Sequence, residues 1–133
     1  MERLKQWAEF QSVMRAGIAA KTPHFVLHQW QKTEDSSEGL GFEKTQAPFV
    51  DGVLLLGALT PKKWAKRAVT RNLIKRQIHQ VSQEFAQQLK PTAYVVRLRA
   101  PFDAKTFVSA SSDKLKETVR QELTQLFGKV TPS

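Results

Sequence analysis

The sequence predicts a single α+β domain, an α/β sandwich in which helices pack on a small central sheet, with elements in the order α, β, β, α, β, α. Two observations predict this fold class. Segments with apolar residues at three- and four-residue spacing alternate with short runs rich in β-branched and aromatic residues, and Pro or Gly ends most of them. A length of 133 residues fits one domain, which we predict to span residues 1–133.

The first two elements are a helix and a strand. An amphipathic helix is predicted from Arg3 to Ala16, ended by Gly17. Its apolar residues keep helical spacing: Leu4, Trp7, Phe10, Val13 and Met14. A strand is predicted over residues 24–31, because Phe25 and Leu27 alternate with more polar neighbours.

The middle of the chain changes from polar to apolar. Gln31 to Pro48 predicts a loop, with a further short strand at Leu40 to Glu43 as an alternative. Phe49 to Leu59 is almost continuously apolar, which predicts a central strand that Pro61 ends.

A long helix is predicted after Pro61, continuing to Leu89 and stopped by Pro91. Its core stripe steps by four, three, four and four residues: Ile74, Ile78, Val81, Phe85 and Leu89. Ala93 to Leu98 predicts the third strand, and a strand, helix, strand unit favours a parallel pair.

The last helix is predicted to begin at Ser111 or Ser112 as its N-cap and to end before Gly128. Its apolar stripe is Leu115, Val119, Leu123 and Leu126. No repeat or linker divides the chain. General rules make a strand, helix, strand crossover right-handed.

Composition restricts the class of protein. Hydrophobic residues make up 41% of the chain, with eight Phe and three Trp, which excludes a disordered basic tail. The absence of cysteine excludes disulfides and thiolate chemistry and fits a reducing cytoplasm. The charged N-terminus is not a signal peptide, and the longest apolar run, Val53 to Leu59, is far shorter than the roughly 20 residues of a membrane span.

Positive charge is concentrated in Lys62 to Arg76, the basic segment, whose fifteen residues hold seven Lys or Arg, no acid and the only asparagine. The whole chain has a net charge of +9. Such a run is often a solvated helix face, but no acidic residue offsets it as far as Gln83. We therefore predict a surface for a polyanion, most simply nucleic acid.

Helical geometry divides the basic segment into faces. Opposite the core stripe lie four residues predicted to face solvent: Asn72, Arg76, His79 and Gln83. Arg67, Arg71 and Lys75 follow at four-residue intervals along the flank, and these residue types suit phosphate and 2′-hydroxyl contacts. Trp64 is predicted to be a packing anchor rather than a stacking platform for a base.

The sequence contains no convincing catalytic constellation and no predicted metal ligands. Glu34, Asp35 and Glu38 are interpreted as a solvated loop rather than a metal cluster. His24 and His28 share a strand face by parity, but two histidines without a third ligand are more often packing or surface residues than a metal site.

The pattern R-N-x-x-K-R at residues 71–76 resembles the signature of the bacterial ribonuclease P protein component. The similarity continues upstream, and it recurs at the N-terminus with the family's spacing. The upstream residues are Lys62, Lys63, Lys66, Arg67 and Ala68, and the N-terminal ones are Arg3, Leu4, Phe10, Val13 and Gly17. The order of elements agrees across nearly the whole chain.

This resemblance implies a ribosomal protein S5 domain 2-like fold with an unusual left-handed crossover. It also implies a cytoplasmic bacterial subunit that binds a catalytic RNA and the 5′ leader of precursor tRNA. The RNA subunit and its Mg²⁺ then perform the hydrolysis, and the protein alone binds no cofactor, membrane or small-molecule substrate. The alternatives are a ribosomal-type RNA-binding module and, less favoured, a DNA-binding protein, since no helix-turn-helix pair or zinc site is recognisable.

The resemblance also assigns residues. Contacts with the catalytic RNA are expected from Lys62, Lys63, Lys66, Arg67, Arg71, Asn72, Lys75, Arg76 and His79. A cleft for the leader is expected to be lined by Phe10, Met14, Phe25 and His28. Met14 and His28 stand at positions that are usually aromatic in the family, so we expect base stacking to differ there.

Overall fold

The structure, a computed structural model, describes residues 2–30, 53–102 and 113–131. The predicted short strand at Leu40 to Glu43, the acidic loop and the Ser111 or Ser112 N-cap lie outside these residues. The strands are β1 (Glu2–Arg3), β2 (Ile18–Lys21), β3 (Phe25–Gln29), β4 (Leu55–Leu59) and β5 (Ala93–Leu98). The helices are α1 (Trp7–Ala16), α2 (Ala68–Glu84) and α3 (Asp113–Gly128).

The five strands form one sheet in the order β1-β4-β5-β3-β2. β4 pairs in parallel with β1 and β5, whereas β3 pairs antiparallel with β5 and β2. Because α2 connects the parallel strands β4 and β5, the predicted strand, helix, strand unit and the α+β fold class are confirmed. The left-handed sense of this crossover stays a prediction.

Two short strands were not predicted. Gly17, with φ 132°, ends α1 and turns the chain directly into β2, whose short side chains gave no clear strand pattern. β1 occupies the predicted start of the first helix, which begins instead at Trp7. The Glu9 carboxylate accepts hydrogen bonds from the backbone N–H groups of Lys5 and Gln6, which fixes that start.

The long helix is shorter than predicted at both ends. A separate turn comes first, in which the backbone N–H groups of Trp64 and Ala65 donate to the Pro61 carbonyl. At the other end the backbone N–H of Phe85 donates to the Ser82 carbonyl, an i to i−3 bond that tightens and ends the helix. The predicted core stripe is otherwise confirmed, since its residues Ile74, Ile78, Val81 and Leu89 are buried.

The sheet is covered on both faces. Alternate residues of β5 point to opposite sides: Tyr94, Val96 and Leu98 pack with α2 and α3, whereas Ala93 and Val95 pack with α1. α2 and α3 run side by side in the same direction, as the Phe85 and Phe127 rings, 5.9 Å apart, indicate near their ends. Within the described ranges, no helix has the length and apolar character needed to cross a membrane.

The turn between β2 and β3 is held by Glu122 of α3. Its carboxylate accepts bonds from Thr22 Oγ1 (2.6 Å) and the His24 backbone N–H (2.6 Å), and it lies 2.8 Å from His24 Nδ1. The His24 ring also stacks on Phe102, with centroids 4.1 Å apart. His24 therefore points to the α3 side of the sheet.

The prediction that His24 and His28 share a face is wrong. His24 precedes β3, so strand alternation does not apply to it. His28 lies within β3 and contacts Gly17 and Arg97.

Candidate nucleic-acid interface

The basic segment begins as an exposed turn ahead of α2. Four of its cations lie in this approach and are exposed: Lys62, Lys63, Lys66 and Arg67. Trp64 is half-buried against the core, which confirms its predicted packing role, and Lys63 Nζ lies 4.8 Å from the centroid of its ring. The anchored indole therefore supports a turn that presents ammonium groups to solvent.

Arg71 holds this turn to the helix. Its Nη1 donates hydrogen bonds to the carbonyl oxygens of Ala65 (3.0 Å) and Lys66 (2.8 Å), and its side chain is half-buried. The sequence predicted a flanking phosphate ligand at this position and gave no indication of these contacts. The contacts give Arg71 a structural role in fixing the backbone around Lys66.

The solvent face of α2 carries the central residues of the R-N-x-x-K-R pattern. Asn72, Lys75 and Arg76 are exposed, as is Gln83, in agreement with the helical prediction. The only acid in α2 is Glu84, in its last turn, and this carboxylate forms an ion pair with Arg120 of α3. Among the residues that the structure describes, positive charge without an acidic partner is therefore concentrated toward the N-terminal half of the helix.

His79 was predicted to face solvent, but its side chain is half-buried. Burial, followed by the positive charges of Arg3 on β1 and Lys75 on α2, lowers the pKa of His79 to about 4. At pH 7 this residue is therefore a neutral donor and acceptor beside two cations.

A groove of about 410 Å³ lies between the N-terminal parts of α2 and α3. Asn72 and Arg76 line it from α2, and Asp113 and Lys116 line it from α3. Lys116 extends the basic face onto a second helix. Sequence reasoning missed this residue because the two helices are adjacent only in the folded chain.

A second surface lies on the opposite face of the sheet, beside α1, and we call it the α1 cleft. The Phe10 ring packs over Gly57 of β4, and Met14 is half-buried next to it. His28 rises from β3 on this face and is 4% exposed. Three of the four predicted cleft residues are therefore brought together.

The assignment of Phe25 to this cleft is wrong. Phe25 is 0% exposed and packs in the core under α2 and α3, close to Phe102. Residues 25 and 28 of one strand point to opposite faces because strand side chains alternate.

The α1 cleft contains two residues that sequence reasoning did not assign to it. Trp7, predicted as part of the apolar stripe, is 56% exposed and stacks on Phe10 with ring centroids 6.2 Å apart. Arg97 of β5 donates from Nε to His28 Nε2 at 3.4 Å. Strand alternation indicates its position, because residues 93, 95 and 97 of β5 lie on the same face of the sheet.

The partners of His28 define its protonation state. Nδ1 lies 3.2 Å from the Gly17 carbonyl, so it carries the proton and donates, and Nε2 is left as an acceptor for Arg97. Burial lowers the pKa of His28, the Gly17 bond opposes this shift, and the Arg97 charge adds to it. In the part of the chain that the structure describes, no three His, Cys, Asp or Glu side chains form a group able to hold a metal ion.

Known proteins resemble the chain along its whole length. Residues 1–130 match the profile of the protein family described as Ribonuclease P. The ribonuclease P protein component of Burkholderia pseudomallei is 31% identical over 124 residues, covering 93% of this chain and 78% of the relative. That of a Nostoc species is 32% identical over 128 residues, covering 92% and 89% of the two chains.

The structure of the Staphylococcus aureus RNase P protein superposes with a TM-score of 0.67 at 22% identity, covering 99% of both chains. This likeness supports the fold. The sequence match and the family profile confirm the predicted family, so the chain belongs to the ribonuclease P protein family.

Proposed function

We propose that this chain is the protein subunit of ribonuclease P in the bacterial cytoplasm. It binds the catalytic RNA through the basic segment and the 5′ leader of precursor tRNA through the α1 cleft, and it thereby promotes endonucleolytic removal of the leader. The observation that carries this proposal is the cluster of exposed cations formed by the approach turn and the N-terminal half of α2, a helix whose only acid, Glu84, lies in its last turn. Family membership supports a catalytic RNA as the polyanion that this surface fits.

The side chains of α2 are expected to bind the RNA and fix its orientation. Arg76 offers a guanidinium fork to a phosphate, Lys75 adds a point charge, and the Asn72 amide suits a phosphate or a 2′-hydroxyl. Charges on one rigid helix favour one orientation of a bound RNA without base-specific contacts. The RNA subunit with its Mg²⁺ supplies the hydrolytic chemistry, and the protein increases affinity for the substrate.

The proposal is tested by adding the chain to a bacterial ribonuclease P RNA at low Mg²⁺ and following cleavage of a precursor tRNA. We expect accurate release of the leader at a rate well above that of the RNA alone. An RNA that binds the chain without faster cleavage or tighter substrate binding would favour the plain RNA-binding module instead.

A further inference from the structure

Arg97 occupies a central position on the floor of the α1 cleft. Its backbone pairs with Leu59 of β4 on one side and Val26 of β3 on the other. Its parity with Ala93 and Val95, which pack beneath α1, directs the side chain to the same face. A half-buried guanidinium therefore stands among apolar residues in the middle of the sheet.

The described residues provide no anion for this cation. Their ion pairs join His24 to Glu122 and Arg120 to Glu84, and none of them includes Arg97. The hydrogen bond they provide is the one from Arg97 Nε to the neutral His28 ring. Partial burial of a charge without a counterion is unfavourable. A phosphate bound to the guanidinium would supply the missing negative charge.

His28 orients this guanidinium. The Gly17 carbonyl fixes the tautomer of the ring, so that Nε2 presents a lone pair to Arg97 Nε. The bond engages the Nε position of the guanidinium, and among the described residues no acceptor is found for the two Nη groups. The imidazole is thus a support for Arg97 in addition to being part of the cleft wall.

Arg97 also lies on the path from the aromatic pair of the α1 cleft to the basic segment. Its neighbour on β4, Leu59, is followed three residues later by Lys62, the first cation of the basic segment. Toward the other end of the sheet, Gly57 supports Phe10 and its stacked partner Trp7. A strand of RNA that runs from the aromatic pair to the basic segment would pass Arg97.

We infer that Arg97 binds a backbone phosphate of single-stranded RNA in the α1 cleft and that His28 is the positioning residue that orients it. This inference rests on the proposed function, because the ligand would be the leader of precursor tRNA. It adds a charged contact to a cleft that the family resemblance assigned to Phe10, Met14, Phe25 and His28.

The test uses the reconstituted holoenzyme and precursor tRNAs with either a minimal or an extended leader. The wild type should bind the extended leader more tightly, and Arg97→Ala should reduce that gain by about tenfold. The log–log salt slope for the extended substrate should fall by about 0.7, the value for one single-strand phosphate. Arg97→Lys should keep most of the preference for the extended leader. Lys129→Ala, just beyond the C-terminal end of α3, should keep this preference unchanged.

The role of His28 is tested with His28→Phe, which removes the acceptor, and His28→Gln, which restores one. We expect His28→Phe to reduce the preference for the extended leader over the minimal leader by about threefold, because a single neutral hydrogen bond is lost. His28→Gln should restore this preference. If Arg97→Ala does not fold, as judged by circular dichroism, Arg97→Gln replaces it with a neutral polar side chain.

Two results would overturn the inference in distinguishable ways. A wild-type holoenzyme that binds minimal and extended leaders equally would overturn the proposed leader role and the Arg97 assignment with it. A wild type with a clear leader gain that Arg97→Ala or Arg97→Gln retains, with an unchanged salt slope, would overturn the Arg97 assignment alone.

Discussion

The Phe10 ring lies directly on the backbone of Gly57, where a Cβ would stand 2.5 Å from Phe10 Cε2 and 3.0 Å from a Leu4 methyl carbon. Any side chain at residue 57 would therefore push Phe10, and Trp7 stacked on it, away from the sheet. We predict that Gly57→Ala lowers the free energy of unfolding by about 1–3 kcal/mol, the usual cost of overpacking. Urea denaturation measures this loss.

Gly128→Ala is the matched control, since a Cβ at Gly128 meets no atom within 4 Å. Its free energy of unfolding should stay within about 0.5 kcal/mol of the wild type. Equal stability of the Gly57 and Gly128 variants would mean that Phe10 does not rest on the sheet as described.

Arg71 and Arg76 should behave differently although they belong to one motif. Arg71→Ala removes the bonds to the Ala65 and Lys66 carbonyls, so we expect a loss of about 1–2 kcal/mol in the free energy of unfolding together with weaker RNA binding. Arg76→Ala alters an exposed residue, so stability should change by less than about 0.5 kcal/mol while RNA affinity falls. Thermal unfolding and RNA titration of both variants separate the two effects, and equal stability losses would contradict the structural role of Arg71.

Substitution of Glu122 on α3 should clearly destabilise the protein. Its carboxylate accepts from Thr22 Oγ1 and the His24 backbone N–H, so Glu122→Ala leaves donors in a partly buried turn without their acceptor. We expect a loss of about 2–3 kcal/mol in the free energy of unfolding. Glu117→Ala, an exposed change on the same helix, should cost less than about 0.5 kcal/mol, and similar losses for both would show that the turn is not held by Glu122.

The lowered pKa of His79 makes stability depend on pH. With a folded pKa of about 4 and an unfolded value near 6.5, the unfolded chain takes up the proton first as the pH falls. The contribution of His79 is therefore fully present above pH 6.5 and is lost as the pH falls through about 4. The free energy of unfolding should decrease less steeply over this range in His79→Gln than in the wild type, as measured by urea denaturation at several pH values. Parallel curves would contradict the description of the His79 environment.

Elements with a strong hydrophobic periodicity could be predicted from the sequence. The four-residue spacing of Ile74 and Ile78 predicted both the existence of α2 and the face it buries, and that orientation correctly exposed Asn72 and Arg76. β2 was missed because Ala19 and Ala20 give no alternating pattern that distinguishes a strand from a loop.

Side-chain contacts between distant segments were the least predictable part of the site. The bonds from Arg71 to the preceding turn depend on where α2 begins, which propensity does not define to within a few residues. Phe25 was assigned to the cleft by family resemblance, although the alternation of β3 already separates it from His28. Arg97 was overlooked as a lone polar residue in an apolar strand, and its importance depends on the pairing of β5 with β3.

The basic segment and the solvent face of α2 are proposed to bind a catalytic RNA. The most direct measurement is the affinity of the chain for ribonuclease P RNA as a function of salt, for the wild type, Arg76→Ala and the control Lys129→Ala. With about five or six phosphates neutralised, affinity should fall by about two to three decades between roughly 50 and 200 mM salt, and only Arg76→Ala should reduce both the affinity and the slope. A flat salt dependence, or an Arg76→Ala chain that binds as tightly as Lys129→Ala, would show that this surface does not bind the RNA.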